Sequence, residues 1–292
     1  MIKENFEIKI TKRIKESFVK RNGRTEFVEV EPAVHLHTRD WGKGKTVVFI
    51  PGWPLNHEMF EYQFTHLAQK GYRCVGITLR GFGQSSEPWG EYNYDVFADD
   101  IKKVLGILDL NEVTLAGHSM GGAISLHYMA RHKNERVAKL ALFGAAAPCF
   151  TKRPDFPYGH EPKAIDELIA ECHTNRAKLV EDFGRIFFRS ENAIGSKLGY
   201  WFQNMGMEAS PHATAACLIA LRDSDLREDM AKVKVPTVIF HSKHDKICPF
   251  QLGEALSAGI KGAKLVPFEN SGHGLFFEEK DKFNKELMDF IG

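Results

Sequence analysis

Ser119 stands in Gly117-His118-Ser119-Met120-Gly121-Gly122, a serine with glycine two places to either side. The preceding residues 113–116 read as a strand and residues 121–132 as a helix. A serine on a sharp strand-to-helix turn sits in a strained backbone conformation, and small residues two positions away prevent clashes there. Its hydroxyl then projects from the carboxyl end of the sheet. The helix behind it offers free N–H groups and a dipole that favours negative charge. A serine hydroxyl is a weak nucleophile at neutral pH. It needs a neighbouring base, and the base needs an acid to orient it.

The chain holds 13 histidines, so context must select the base. His273 lies in Asn270-Ser271-Gly272-His273-Gly274, directly after a predicted strand at 263–268. Asp245 follows a predicted strand at 237–241. Both loops fall at the edge of the sheet that carries Ser119, and the order Ser, Asp, His suits such an arrangement. His118 and His244 flank these motifs and read as groups that orient rather than react. His35 and His37 alternate on one strand; a metal pair there is the alternative to plain surface or edge positions. His57, His66, His127, His132 and His160 carry no motif, and Asp225 and Asp229 are rival acids near the end of a helical stretch.

Acyl transfer builds negative charge on a carbonyl oxygen, and each backbone N–H aimed at it is worth roughly 10²–10³ in rate. Met120, directly after the serine, supplies one such N–H. The loop Pro51-Gly52-Trp53-Pro54 supplies the other. Trp53 is the candidate there, because Pro54 has no N–H to give and Gly52 permits the tight bend.

These residues are placed by an alternating pattern. Short apolar runs at 46–50, 73–78, 113–116, 137–143, 237–241 and 263–268 read as strands. Helical patterns at 59–70, 95–108, 121–132, 251–258 and 280–291 separate most of them. Such alternation with short joints predicts an α/β fold with a mostly parallel central sheet flanked by helices. The N-terminal runs at 6–10, 27–30 and 34–37 alternate in polarity and read as an antiparallel edge, with a turn at residues 40–44. Between 148 and 227 the strands lapse and helical patterns appear at 164–172, 179–188 and 213–221. This stretch reads as a helical cap inserted in a core formed by 1–147 and 228–292. Phe150, Phe187, Phe188 and Trp201 of this stretch, with Phe82 from the core, are candidate pocket residues.

Composition narrows the function classes. A net charge of +1 in 292 residues gives no global attraction to nucleic acid. The basic stretch at 3–24 reads as a solvated terminal segment. Five widely spaced cysteines without a CxxC point to buried thiols in a reducing compartment, not to disulfides or a zinc site. The first residues do not form a signal peptide and no apolar run is long enough to cross a membrane, so a cytoplasmic location is expected.

Together, the segments Phe49-Ile50-Pro51-Gly52-Trp53-Pro54-Leu55, Leu79-Arg80-Gly81-Phe82-Gly83-Gln84-Ser85, Gly117 to Gly122 and Ser271-Gly272-His273 resemble the α/β-hydrolase fold superfamily. Within it the chain resembles the cofactor-free haloperoxidase, perhydrolase and aryl esterase group. Pro51 departs from the histidine usual before Gly52, and Thr78 stands where many relatives carry Asp. Ser119 departs from the Asp nucleophile of haloalkane dehalogenases and epoxide hydrolases. The resemblance implies a carboxylic-ester hydrolase using no metal or organic cofactor, acting on a small-molecule ester, with no nucleic-acid or membrane partner. Pro54 after Trp53 is associated in that group with perhydrolysis. A C–C bond hydrolase, a lactonase or thioesterase using the same residues, and a non-catalytic ligand-binding protein of the same fold remain alternatives. Oligomeric state is left open.

Overall fold

The computed structural model describes residues 20–21 and 24–292, with side chains from residue 26 onward other than 191–194. The expected strand at 6–10 lies outside the described residues. The described strands are β1 (Lys20–Arg21), β2 (Arg24–Thr25), β3 (Phe27–Glu31), β4 (Val34–Gly42), β5 (Thr46–Ile50), β6 (Arg73–Ile77), β7 (Val113–His118), β8 (Val137–Phe143), β9 (Thr237–Ser242) and β10 (Lys264–Phe268). β1 and β2 form a separate two-stranded ribbon. The others form one sheet in the order β10-β9-β8-β7-β5-β6-β4-β3. β3 and β4 pair antiparallel, as do β4 and β6; every other pairing in that sheet is parallel.

The central strands are buried along their whole length in β7 and β9, as a sheet covered on both faces requires. The helix Glu61–Gln69 packs against the C-terminal helix Lys280–Ile291. The helices Tyr94–Ile107 and Met120–Arg131 pack on each other, and the latter meets the short helix Arg227–Met230. Helix Tyr94–Ile107 starts where the Asn93 side chain accepts the Val96 N–H at 3.0 Å, and Phe97, Ile101, Val104 and Leu105 form its buried stripe.

Two expectations need correction. The turn placed at 40–44 is still strand at its start: Asp40, Trp41 and Gly42 pair with Val75, Cys74 and Arg73. Asp40 also takes a bidentate grip from Arg73 at 3.0 and 2.8 Å, so an apparent turn signal is held extended by its neighbour. The helix expected at 59–70 opens as a 3₁₀ turn, His57–Phe60, because Asn56 accepts the Glu58 N–H at 2.8 Å and tightens the entry. Between β8 and β9 lie the helices Pro162–Thr174, Arg176–Phe187, Glu191–Met207, Pro211–Asp223 and Arg227–Met230. The helix Glu191–Met207 has no counterpart among the expected patterns, since Gly195, Gly199 and Gly206 interrupt its sequence.

A buried ion pair ties the N-terminal half together. Arg80 grips Asp100 at 2.7 and 2.6 Å and reaches Glu31 at 2.8 Å. The Asp100 side chain is 1% exposed, and burial pushes its carboxyl above the usual range against the pull of Arg80. Removing one member of such a pair leaves a buried charge without its partner. We expect Arg80→Ala to lower unfolding stability by about 3–5 kcal/mol, read as a drop in the urea midpoint. A loss below about 1 kcal/mol would show that Asp100 goes neutral at little cost.

Candidate active site

Ser119 is the single residue between β7 and the helix Met120–Arg131, with φ 54° and ψ −121°. A non-glycine residue in that region is strained and persists only where the surroundings hold it. Here the Ser119 N–H donates to Phe143 O at 2.9 Å, and its carbonyl accepts from Gly122, Ala123 and Ala146. A Cβ on Gly121 would lie 2.3 Å from Ile50 O, and one on Gly117 would lie 2.3 Å from Gly121 O. The flanking glycines are therefore fixed by contact, as their spacing predicts.

His273 and Asp245 meet as expected. His273 Nδ1 lies 2.7 Å from Asp245 Oδ2, with both side chains wholly buried. Asp245 Oδ1 accepts the N–H groups of Ile247 and Cys248, each at 2.8 Å. A carboxylate can only accept, so the proton of this contact belongs to His273 Nδ1. That leaves Nε2 buried and without a hydrogen-bond partner. The Ser119 hydroxyl meets the thiol of Cys248, which burial pushes upward and keeps protonated.

Two further histidines line this machinery. His118 Nε2 lies 3.0 Å from His273 O, with the two rings 4.4 Å apart. Burial and the nearby His273 hold His118 well below the ordinary histidine range, so it stays neutral. His244, expected to play a similar part, is exposed. Its place is taken by His241, which donates from Nε2 to Cys248 O at 2.8 Å and lies 4.0 Å from Asp245 Oδ2. His241 sits at the end of a fully buried strand, which is the signal that could have singled it out.

The rival residues are engaged elsewhere. Asp225 is bound by Arg227, with its nearest contact at 2.6 Å, and Asp229 contacts His127 at 2.7 Å. His37 is buried rather than at the surface, stacking on Phe27 and against His57. No cluster able to hold a metal ion occurs among the described residues.

The loop bearing Trp53 touches the turn: a Cβ on Gly52 would lie 2.7 Å from Ser119 Cβ. Among the described residues, neither the Trp53 nor the Met120 N–H has a protein acceptor. The Trp53 indole is pinned by a 3.0 Å bond to Thr214 O. Ser119 and Trp53 line a cavity of about 330 Å³. Its other walls include Phe150, Ile165, Leu168, Phe183, Leu218 and Ile247. Of the five aromatic residues expected in the pocket, Phe150 alone lines this cavity. Phe82 is in the core, and Trp201 packs on Phe202. Phe187 and Phe188 turn instead toward the His273 loop, with Phe187 5.1 Å from the imidazole. In the helix Arg176–Phe187 it is Phe183 and Ile186 that face the cavity. The wall from helix Pro162–Thr174 was missed, although Ala164, Ile165 and Leu168 share one helical face.

A mostly parallel sheet with a serine at such a turn, and a buried His–Asp pair on the loops after β9 and β10, defines a class of α/β hydrolases. The chain belongs to the alpha/beta hydrolase fold family, whose model matches residues 45–280. It is 48% identical to the AB hydrolase superfamily protein YisY of Bacillus subtilis, over 90% of this chain and 98% of that protein. It is 30% identical to the bifunctional esterase/perhydrolase DCH of Acinetobacter calcoaceticus, over 91% of this chain and 99% of the relative. Among solved structures, the esterase EaEST from Exiguobacterium antarcticum superposes with a TM-score of 0.88 at 42% identity, covering 91% of this chain and 98% of that one. All five cysteines are buried and free, and no described helix is long and apolar enough to cross a membrane.

Proposed function

We propose that this protein is a serine esterase that cleaves small carboxylic esters through an acyl-enzyme. The observation that carries this reading is the buried His273–Asp245 pair, which leaves Nε2 without a partner and able to take a proton, while the positive-φ serine lines an apolar cavity. The reaction requires Ser119 Oγ to turn from the Cys248 thiol toward His273 Nε2, a rotation about χ1 between staggered wells. Oγ then attacks the ester carbonyl as its proton passes to Nε2. The carbonyl oxygen, now negative, is held by the N–H groups of Trp53 and Met120. Collapse of the intermediate expels the alcohol, which takes the proton from His273. Water repeats the sequence: its proton goes to His273, its oxygen to the acyl carbon, and the acid leaves as Ser119 regains its proton. Asp245 stays ionised throughout and stabilises the imidazolium. Helices from the 148–227 stretch wall the cavity, and we propose that this stretch acts as a cap that sets which esters enter.

The test is a series of p-nitrophenyl esters from acetate to dodecanoate. Acetate through hexanoate should turn over with kcat/KM of about 10⁴ M⁻¹s⁻¹ or above, and dodecanoate should fall well below them. Cleavage of a vinylogous diketone or a lactone with no turnover of esters would replace this reading by one of the other hydrolase classes. A folded protein that neither turns over nor reacts with a fluorophosphonate probe would favour ligand binding.

A second reading, perhydrolase side activity, rests on Pro54, which follows Trp53 directly. Pro54 also abuts the cap, since a Cβ on Gly206 would lie 3.3 Å from its ring. The DCH relative is named for both activities. Hydrogen peroxide would replace water as the second nucleophile, giving a peracid and regenerating Ser119. Peracid formation from acetate and peroxide, followed in the same preparations, tests it.

A further inference from the structure

Glu278 lies five residues beyond His273, at the end of the one-turn helix Leu275–Glu278. Its carboxylate spans two parts of the chain. Oε2 accepts the Gly272 N–H at 2.7 Å, next to the imidazole-bearing residue. Oε1 accepts the N–H of Arg189 at 2.8 Å, in the segment that follows the helix Arg176–Phe187. The same seam carries a 3.0 Å bond from Gly274 N–H to Phe187 O. Contact across it is close on both sides of the histidine. A Cβ on Gly272 would lie 2.6 Å from Arg189 N, and one on Gly274 would lie 2.5 Å from the Phe188 ring. Phe187 also stands edge-on to His273 at 5.1 Å.

The adjacent carboxylate works only on the loop. Glu279 Oε2 accepts from Asn270 N–H at 2.9 Å and from the Ser271 hydroxyl at 2.7 Å. Of the two, Glu278 couples the loop to the cap, because it uses one oxygen for each. Hydrogen bonds to an ionised acceptor are about twice as strong as neutral ones.

We propose that Glu278 is a positioning residue for the reaction, fixing His273 by tying its loop to the seated cap segment at Arg189. This rests on the reading of His273 as the base. Displacing a reacting group by about 1 Å can cost roughly 10²-fold in rate. Among the described residues Asp245 makes the ring's one hydrogen bond, while His118 and the Gly274–Phe187 bond hold the backbone around it, so loosening the Gly272 side of the loop lets the ring shift without breaking the His273–Asp245 bond.

The test compares E278A and E278Q with the unmodified protein on p-nitrophenyl acetate. Glutamine keeps the shape but has one oxygen, so it accepts one N–H and turns an amide NH₂ toward the other. Should E278A not fold, E278Q carries the comparison. In folded variants kcat should fall about 10- to 100-fold with KM changed less than about twofold, and E278A should lose at least as much as E278Q. The downfield proton resonance of His273 Nδ1–H should shift or broaden in both. A lowered Tm with kcat unchanged, or a raised KM with kcat unchanged, would make Glu278 a structural brace and overturn the proposal. Fluorophosphonate labelling of the unmodified protein keeps this apart from the parent reading. If the unmodified protein is neither labelled nor active, the base assignment has failed. If it is labelled and E278A and E278Q keep their kcat, only the positioning role has.

Discussion

With Ser119 replaced by alanine, kcat/KM for p-nitrophenyl acetate falls by about 10⁴- to 10⁶-fold and fluorophosphonate labelling disappears. The size follows from what remains. The alanine keeps the Cβ, the positive φ and the carbonyl that accepts from Gly122, Ala123 and Ala146, so the turn is not unmade. The Trp53 and Met120 N–H groups and the cavity are untouched, and water can still be polarised there. Such a site retains roughly 10³-fold over the uncatalysed reaction, from oxyanion binding alone. Missing is the covalent step, which splits one difficult displacement into two easier ones. The hydroxyl contributes little to the fold, since its partner is the Cys248 thiol, so the Tm should stay within a few degrees. A folded S119A protein that keeps its activity within tenfold would mean that ester turnover proceeds elsewhere on the molecule.

The parts of this site that could be read from the sequence are those with a local cause. Ser119 was legible because its strained turn needs Gly117 and Gly121 within two residues. Asp245 and His273 were legible because each directly follows an apolar run, and parallel strands deliver such loops to one edge. What could not be read depends on contacts between distant segments. Whether Phe183 or Phe187 faces the cavity is decided by how helix Arg176–Phe187 seats on the His273 loop, and that is set by Gly272 and Gly274 far along the chain. Asp40 and Trp41 stand in a turn-like stretch, yet pairing with β6 and the Arg73 grip hold them extended, and the chain turns only from Gly42, with φ 79°. Thr78 departs from the acid expected there, and its meaning is tertiary too. Its hydroxyl lies 2.6 Å from His57 Nδ1 in surroundings where burial drives His57 well below the ordinary range. A carboxylate there would favour a charged imidazole, whereas a hydroxyl leaves it neutral.

Asp245→Asn should lower kcat by about 10⁴-fold near neutral pH while leaving substrate binding nearly intact. The loss runs through a proton rather than a charge alone. In the native protein Oδ1 is committed to the Ile247 and Cys248 N–H groups, and Oδ2 accepts from His273 Nδ1–H. In asparagine the single oxygen is claimed by the same two N–H groups, because turning the amide over would set its NH₂ against both. Nδ2 then points at His273 as a donor. The imidazole answers by becoming an acceptor at Nδ1 and carrying its proton on Nε2. An Nε2 that already holds a proton cannot take the one from Ser119, so the base is disabled although every heavy atom stays in place. The imidazolium formed later also loses the ionised partner that stabilises it. Measured on p-nitrophenyl acetate, kcat should collapse while KM moves by no more than a few-fold. Activity within tenfold of the native protein would show that a different acid orients His273. His241, 4.0 Å from Asp245 Oδ2, tests a further consequence of the same geometry. Burial holds its pKa down, and it is neutral beside the native carboxylate. Loss of the carboxylate removes the charge that raises it, so near neutral pH His241 should stay uncharged beside the amide and not replace the lost charge.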